Sequence, residues 1–139
     1  MNAFDRIKTR ARGTMTLTKS PFGPFTFTEI VFDDSRGDLW FSGRHTVSEQ
    51  ETTLFTLILP EKHGTFSGNF GPAPDAYGYY SGIAAGQRFR WYSESGEYEA
   101  TYIQNIRHLT GTFHFLGKDS DSSAEAEFAG EFNIQDLIS

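Results

Sequence analysis

Six residues in the middle of the chain have the types that a binding site needs: Tyr77, Tyr79, Tyr80, Arg88, Arg90 and Trp91. Tyrosine and tryptophan join a flat apolar body to a polar tip, which suits the rim of a pocket or a protein interface. Arg88 and Arg90 alternate with Phe89 and Trp91, so an extended backbone puts both guanidinium groups on one face. Two such forks can grip a carboxylate or a phosphate. A structural reading competes with this. If Ser93 to Gly96 closes a hairpin, both arginines meet Glu97 and Glu99 on the next strand. The six are read here as ligand-binding residues flanking Gly71 to Gly86, a glycine-rich stretch whose length and irregularity suit a functional loop.

Catalytic and metal-binding patterns are weaker. His45, His63, His108 and His114 show none of the close pairings that place two ligands on one element. His114 falls on the polar face of its strand, and Glu125 or Glu127 is expected across the hairpin from it. An exposed cross-strand pair is the simpler reading of that arrangement, ahead of an acid–base couple. No serine stands in a Gly-x-Ser-x-Gly elbow. The run Asp119 to Glu125 has oxygen ligands at alternate positions but lacks the central glycine and distant glutamate of a calcium loop, so it reads as a polar turn. Asp33 to Asp38 reads the same way. No catalytic residue, metal ligand or cofactor is therefore assigned.

The elements that must position these residues are strands. From Ala124 to Ile134 the even positions are Ala124, Ala126, Phe128, Gly130, Phe132 and Ile134, alternating with Glu125, Glu127, Ala129, Glu131 and Asn133. That period of two belongs to a strand with one dry and one wet face. Leu109, Gly111, Phe113 and Phe115 repeat the pattern upstream, and the polar segment Gly117 to Ser123 joins the two as an antiparallel hairpin. Further strands are expected at Thr14–Thr18, Phe25–Phe32, Leu39–Gly43, Thr52–Leu59, Thr65–Phe70, Arg88–Ser93 and Tyr98–Ile106. Phe25 and Phe27 are out of phase with Ile30 and Phe32, which implies a bulge or bend across Glu29. Thr53–Leu59 is apolar on both faces and should be a central strand. A short helix fits the N-terminus, where Phe4, Ile7 and Ala11 share a face.

Composition bounds the rest. A chain of 139 residues is one domain by size, here divided into a basic N-terminal segment, 1–12, and a single β-domain, 13–139. Fourteen Phe, six Tyr and two Trp outnumber all Val, Ile and Leu together, and such bulky side chains suit a wide interior. There is no cysteine, hence no disulfide or thiolate chemistry. Net charge is −6, and Arg6, Lys8, Arg10 and Arg12 lie at the N-terminus, so the body is more acidic still. An acidic body repels phosphate backbones and argues against nucleic acid as a partner. No apolar run reaches the roughly 20 residues of a membrane helix, and no signal-peptide core precedes Gly13. A cytoplasmic location is the expectation, with no membrane span.

The expected architecture is all-β with little helix: an antiparallel up-and-down barrel, lipocalin-like, with an antiparallel β-sandwich as the alternative. The C-terminal half resembles uncharacterised bacterial lipocalin-like β-proteins, a domain of unknown function of the DUF6252 type. The resemblance rests on Gly64-Thr65-Phe66, Tyr79-Tyr80, Gly96-Glu97-Tyr98, Gly111-Thr112-Phe113-His114-Phe115 and Gly130-Glu131-Phe132-Asn133-Ile134. It implies a fold and no activity. Three functions follow as expectations. The first is non-catalytic binding of a small or lipidic ligand in an aromatic-lined cavity. The second is protein–protein interaction, as an immunity-type or accessory protein with a protein partner. The third is a small barrel enzyme using acid–base groups such as His114 and Glu127.

Overall fold

The computed structural model describes residues 10–34, 37–71 and 76–136. Its strands, in chain order, are β1 (Arg10–Lys19), β2 (Phe25–Phe27), β3 (Glu29–Asp33), β4 (Asp38–Ser48), β5 (Glu51–Pro60), β6 (Gly64–Phe70), β7 (Tyr77–Ala84), β8 (Gln87–Ile103), β9 (His108–Asp119) and β10 (Glu125–Asp136). A single turn of 3-10 helix, Gln104–Ile106, links β8 to β9. The N-terminal helix expected over Phe4 and Ile7 lies outside the described residues. Ala11 belongs to β1, so that strand begins within the basic segment.

Every strand pairing is antiparallel, and the sheet closes on itself. β1 pairs with β10 from Ala11↔Asp136 to Lys19↔Ala129 and, on its other edge, with β2 and β3. Eight strands complete the barrel in the order β1, β10, β9, β8, β7, β5, β4, β3, a meander rather than two stacked sheets. Closure removes the exposed edges that a flat sheet would carry. At the seam Gly130 is required for space: a Cβ there would lie 1.8 Å from the Thr16 carbonyl oxygen.

The chain obeys its apolar pattern with three departures. The phase change near Glu29 is a break at Thr28 between β2 and β3, which lets Phe27, Ile30 and Phe32 all be buried. The expected hairpin at Ser93–Gly96 does not form; β8 runs unbroken for 17 residues, with a bulge between Ser93 and Ser95. Buried Ser93 is held in line, accepting from the Gly78 N–H and donating to the Gly71 carbonyl, each at 3.0 Å. Gly96 absorbs the bend at φ 149°, where a Cβ would meet the His114 carbonyl oxygen at 2.2 Å. Finally, much of Gly71–Gly86 is strand rather than loop. In β7, Gly78 and Gly82 point inward and leave room for Leu57, Phe115 and Phe89, so the glycines that looked like loop punctuation are packing residues.

Inside, one cluster runs the length of the barrel. Phe55 sits at its middle on β5, which is central between β4 and β7. Its ring centroid is 5.4–6.4 Å from those of Phe27, Tyr80, Phe113, Phe115 and Phe128, rings carried by four different strands. Phe113, Phe128 and Phe132 are all buried, as their alternation predicts.

Candidate functional site

The barrel wall is incomplete in one place. β6 and β7 share the slot between β5 and β8, one after the other. β7 fills its half, pairing with β5 as far as Ile58↔Tyr77 and with β8 from Tyr79↔Tyr92. β6 fills the other half on one side only: among the described residues its ladder runs along β8, Gly64↔Tyr102 to Phe70↔Gly96, and no ladder joins it to β5. Leu59 and Pro60, at the end of β5, therefore face β6 across a gap. The Gly71 N–H bonds the Ala76 carbonyl (2.9 Å) and ties the end of β6 to the start of β7.

The gap is a cleft of about 700 Å³. Ile58, Leu59, Pro60, Phe70, Tyr77 and Tyr98 give it apolar walls, and Asp38, Lys62 and Asn69 also line it. Tyr98 reaches it from β8 and is packed edge-on against Phe66 and Phe70, at centroid distances of 6.2 and 5.3 Å. Its hydroxyl lies against Gly68, where a Cβ would approach to 2.5 Å, and bonds no other described residue. Burial pushes the Tyr98 phenol above its ordinary pKa, so it is a neutral hydrogen-bonding handle at physiological pH.

Strand alternation separates the six residues singled out from sequence. Tyr80 and Trp91 point inward and are buried, both against Phe128. Tyr77, Tyr79, Arg88 and Arg90 point outward. Tyr77 stacks on Tyr79 at 6.1 Å, and Tyr79 meets Tyr92 at 6.4 Å. Partial burial first, then the neighbouring Tyr79 and Tyr92, raises the Tyr77 pKa. Of the six, Tyr77 alone lines the cleft. Glu97 and Glu99 lie further along β8, opposite His114 and Thr112 of β9, so they do not face Arg88 and Arg90 as a hairpin would require. Phe70, Tyr98 and Lys62 were missed. The available signal was Gly68, an inward glycine between Phe66 and Phe70 that leaves space beside a tyrosine.

The other chemistry-bearing groups are engaged elsewhere. His114 is opposite Ala129 rather than Glu125 or Glu127, because the hairpin register sets Glu127 against Leu116. Glu127 instead pairs with Lys19 at 3.3 Å. Asp119 accepts from the Asp121 N–H and the Ser122 hydroxyl, which makes its loop the polar turn that was expected. At one end of the barrel the Tyr102 hydroxyl donates to Asp34 Oδ2 (2.6 Å), which also accepts from Arg107 (3.0 Å). At the other end Phe22, on a turn closed by Gly23 N–H to the Ser20 carbonyl, lies 4.8 Å from Phe89 and 5.8 Å from Tyr80. The lateral cleft reaches the apolar layer from the side. No group of three or more His, Cys, Asp or Glu that could hold a metal occurs among the described residues.

No helix among the described residues is long and apolar enough to cross a membrane. Comparison with protein-family models, with curated proteins and with solved structures yields no match to this chain.

Proposed function

We propose that this domain is a non-catalytic binding protein that takes a small, flat, largely apolar ligand into the cleft between β5 and β6. The observation that carries the proposal is the unpaired stretch of wall, which opens a cleft of about 700 Å³ onto Leu59, Phe70 and Tyr98. Small-molecule sites commonly span about 300–1,000 Å³, with apolar walls and few polar groups. The barrel centre supports a lateral site, because Phe55 and its five neighbouring rings occupy it. A ring inserted beside Phe70 and Tyr98 gains offset or edge-on contacts, and the Tyr98 hydroxyl fixes its orientation by hydrogen bonding.

The test uses the purified chain and the uncharged dye N-phenylnaphthylamine, followed by fluorescence and native mass spectrometry. One dye per chain is expected, with an affinity weakened at least about tenfold in Gly68→Val, whose side chain would push the Tyr98 ring out of place, and in Tyr98→Ala, which removes that wall. Melting curves of both variants confirm that they remain folded. Absence of dye binding to the wild type, or unchanged affinity in both folded variants, refutes the proposal.

A further inference from the structure

A second concave surface lies on the outside of the barrel, toward the opposite end of β7 from the cleft. It is a groove of about 370 Å³ between the β7–β8 hairpin and the turn that joins β9 to β10. Arg88 and Arg90 line one wall. They are two residues apart on one face of β8, so their Cα atoms are roughly 7 Å apart and both guanidinium groups can reach one oxyanion. Ile83, on the same outer face, provides an apolar patch, the strand at Gly82 and Phe89 forms the floor, and Ser81, Ser120 and Asp121 complete the lining.

Lys19, Arg44, Arg107 and Lys118 each hold a carboxylate, on Glu127, Glu29, Asp34 and Glu94. Arg88 and Arg90, like Arg12 and Lys62, have no carboxylate within 4.0 Å among the described residues, although Asp121 lines the same groove; what sets them apart is that they share one face of one strand in one groove. The groove is also preformed. The Arg90 carbonyl accepts from the Ser120 N–H at 2.9 Å, fastening the far wall to β8. Arg90 Nη1 donates to the Tyr92 hydroxyl at 3.4 Å, which orients its fork along the strand. Two cations on one strand face favour an anion that can pair with both.

We propose that this groove is an anion site for a small soluble organic phosphate or carboxylate, independent of the cleft between β5 and β6. The arginines bind the oxyanion, Ile83 bears on the apolar body, and Ser81 and Ser120 offer hydroxyls. Asp121 favours a ligand that also carries a hydroxyl or amine and disfavours extended polyanions. A net charge of −6 opposes approach to an anionic membrane surface, so the ligand is a free molecule rather than a lipid headgroup.

The experiment titrates phenyl phosphate into the wild-type chain at low ionic strength, read by calorimetry and by amide chemical shifts of β8. Sub-millimolar affinity is expected, falling as salt is added, with phenol failing to compete. Arg88→Gln and Arg90→Gln should each weaken binding at least about tenfold while keeping the wild-type melting temperature, since both side chains are exposed. Gly68→Val should leave phenyl phosphate binding intact, which separates this site from the cleft. No binding by the wild type at about 10 mM phenyl phosphate, or wild-type affinity in both arginine variants, overturns the proposal.

Discussion

Phe55→Ala tests whether the middle of the barrel is solid. Phe55 is 0% exposed, and its ring meets five others at 5.4–6.4 Å. Removing the ring forfeits a transfer free energy of about 2–3 kcal/mol. A cavity contribution adds to that, and the rings of Tyr80, Phe113, Phe115 and Phe128 cannot collapse into the space because they stand on strands paired on both sides. The expected loss is therefore about 4–5 kcal/mol, the upper end for a Phe→Ala change. For a domain of this size that corresponds to a fall of roughly 12–25 °C in Tm. Urea unfolding followed by tryptophan fluorescence measures it, since Trp91 is buried in the same cluster and reports its loss. The variant should also gain an apolar void that takes up benzene or xenon. A loss below about 1.5 kcal/mol would mean that Phe55 borders space already present. The barrel centre would then replace the lateral cleft as the place to look for a ligand.

Three further outcomes follow from the geometry. Tyr102→Phe removes a hydroxyl that donates to the Asp34 carboxylate at 2.6 Å, and should cost about 1.5–3 kcal/mol at neutral pH in chemical denaturation. Burial first, and then the Asp34 carboxylate as acceptor and as charge, push the Tyr102 pKa far above the ordinary tyrosine value, and burial raises Tyr77, Tyr80 and Tyr98 as well. A raised acid pKa means that the folded state keeps its proton after the unfolded chain has lost it. This stability is complete below about pH 10 and is lost as pH rises above it, so alkaline melts should steepen there and do so less in Tyr102→Phe. Gly130→Ala should open the seam between β1 and β10, because the new Cβ would sit 1.8 Å from the Thr16 carbonyl oxygen; hydrogen exchange of those two strands should rise sharply while that of β5 and β7 changes least.

Much of the architecture was legible because the chain writes its inside and outside in a period of two. The closing hairpin was readable at the level of single side chains: Phe128, Phe132 and Ile134 are buried and Glu125, Glu127 and Glu131 are exposed. Register was not. Placing His114 against Ala129 requires knowing that the turn consumes Ser120 to Ala124, and a shift of two residues moves every cross-strand partner without changing either face. The long strand β8 was misread as two because Ser93, Ser95 and Gly96 have turn composition. The hydrogen bonds that hold Ser93 in line come from Gly71 and Gly78, and such distant partners leave no local trace. The same blindness applied to β7, where inward glycines are defined by Leu57, Phe89 and Phe115 on other strands.

The candidate site was half legible for a related reason. Residue type points to binding chemistry, but the barrel assigns each side chain a face, and consecutive residues necessarily diverge. Tyr79 and Tyr80 look like one aromatic motif, yet one joins the outer tyrosine stack and the other joins the core. Arg90 and Trp91 divide in the same way. A site that reaches the interior of a closed barrel through its wall must therefore be sought where the ladder fails rather than where suggestive residues crowd. Among the described residues the wall is unpaired beside β6, and the residue that makes room for Tyr98 there, Gly68, carries no side chain at all. That physical argument makes Gly68→Val a sharper probe of the cleft than any substitution of the conspicuous tyrosines. It changes the volume of the gap and leaves the outer stack of Tyr77, Tyr79 and Tyr92 in place. If instead dye binding tracks Tyr79→Ala and ignores Gly68→Val, the outer stack is the ligand surface and the gap in the wall is only a structural feature.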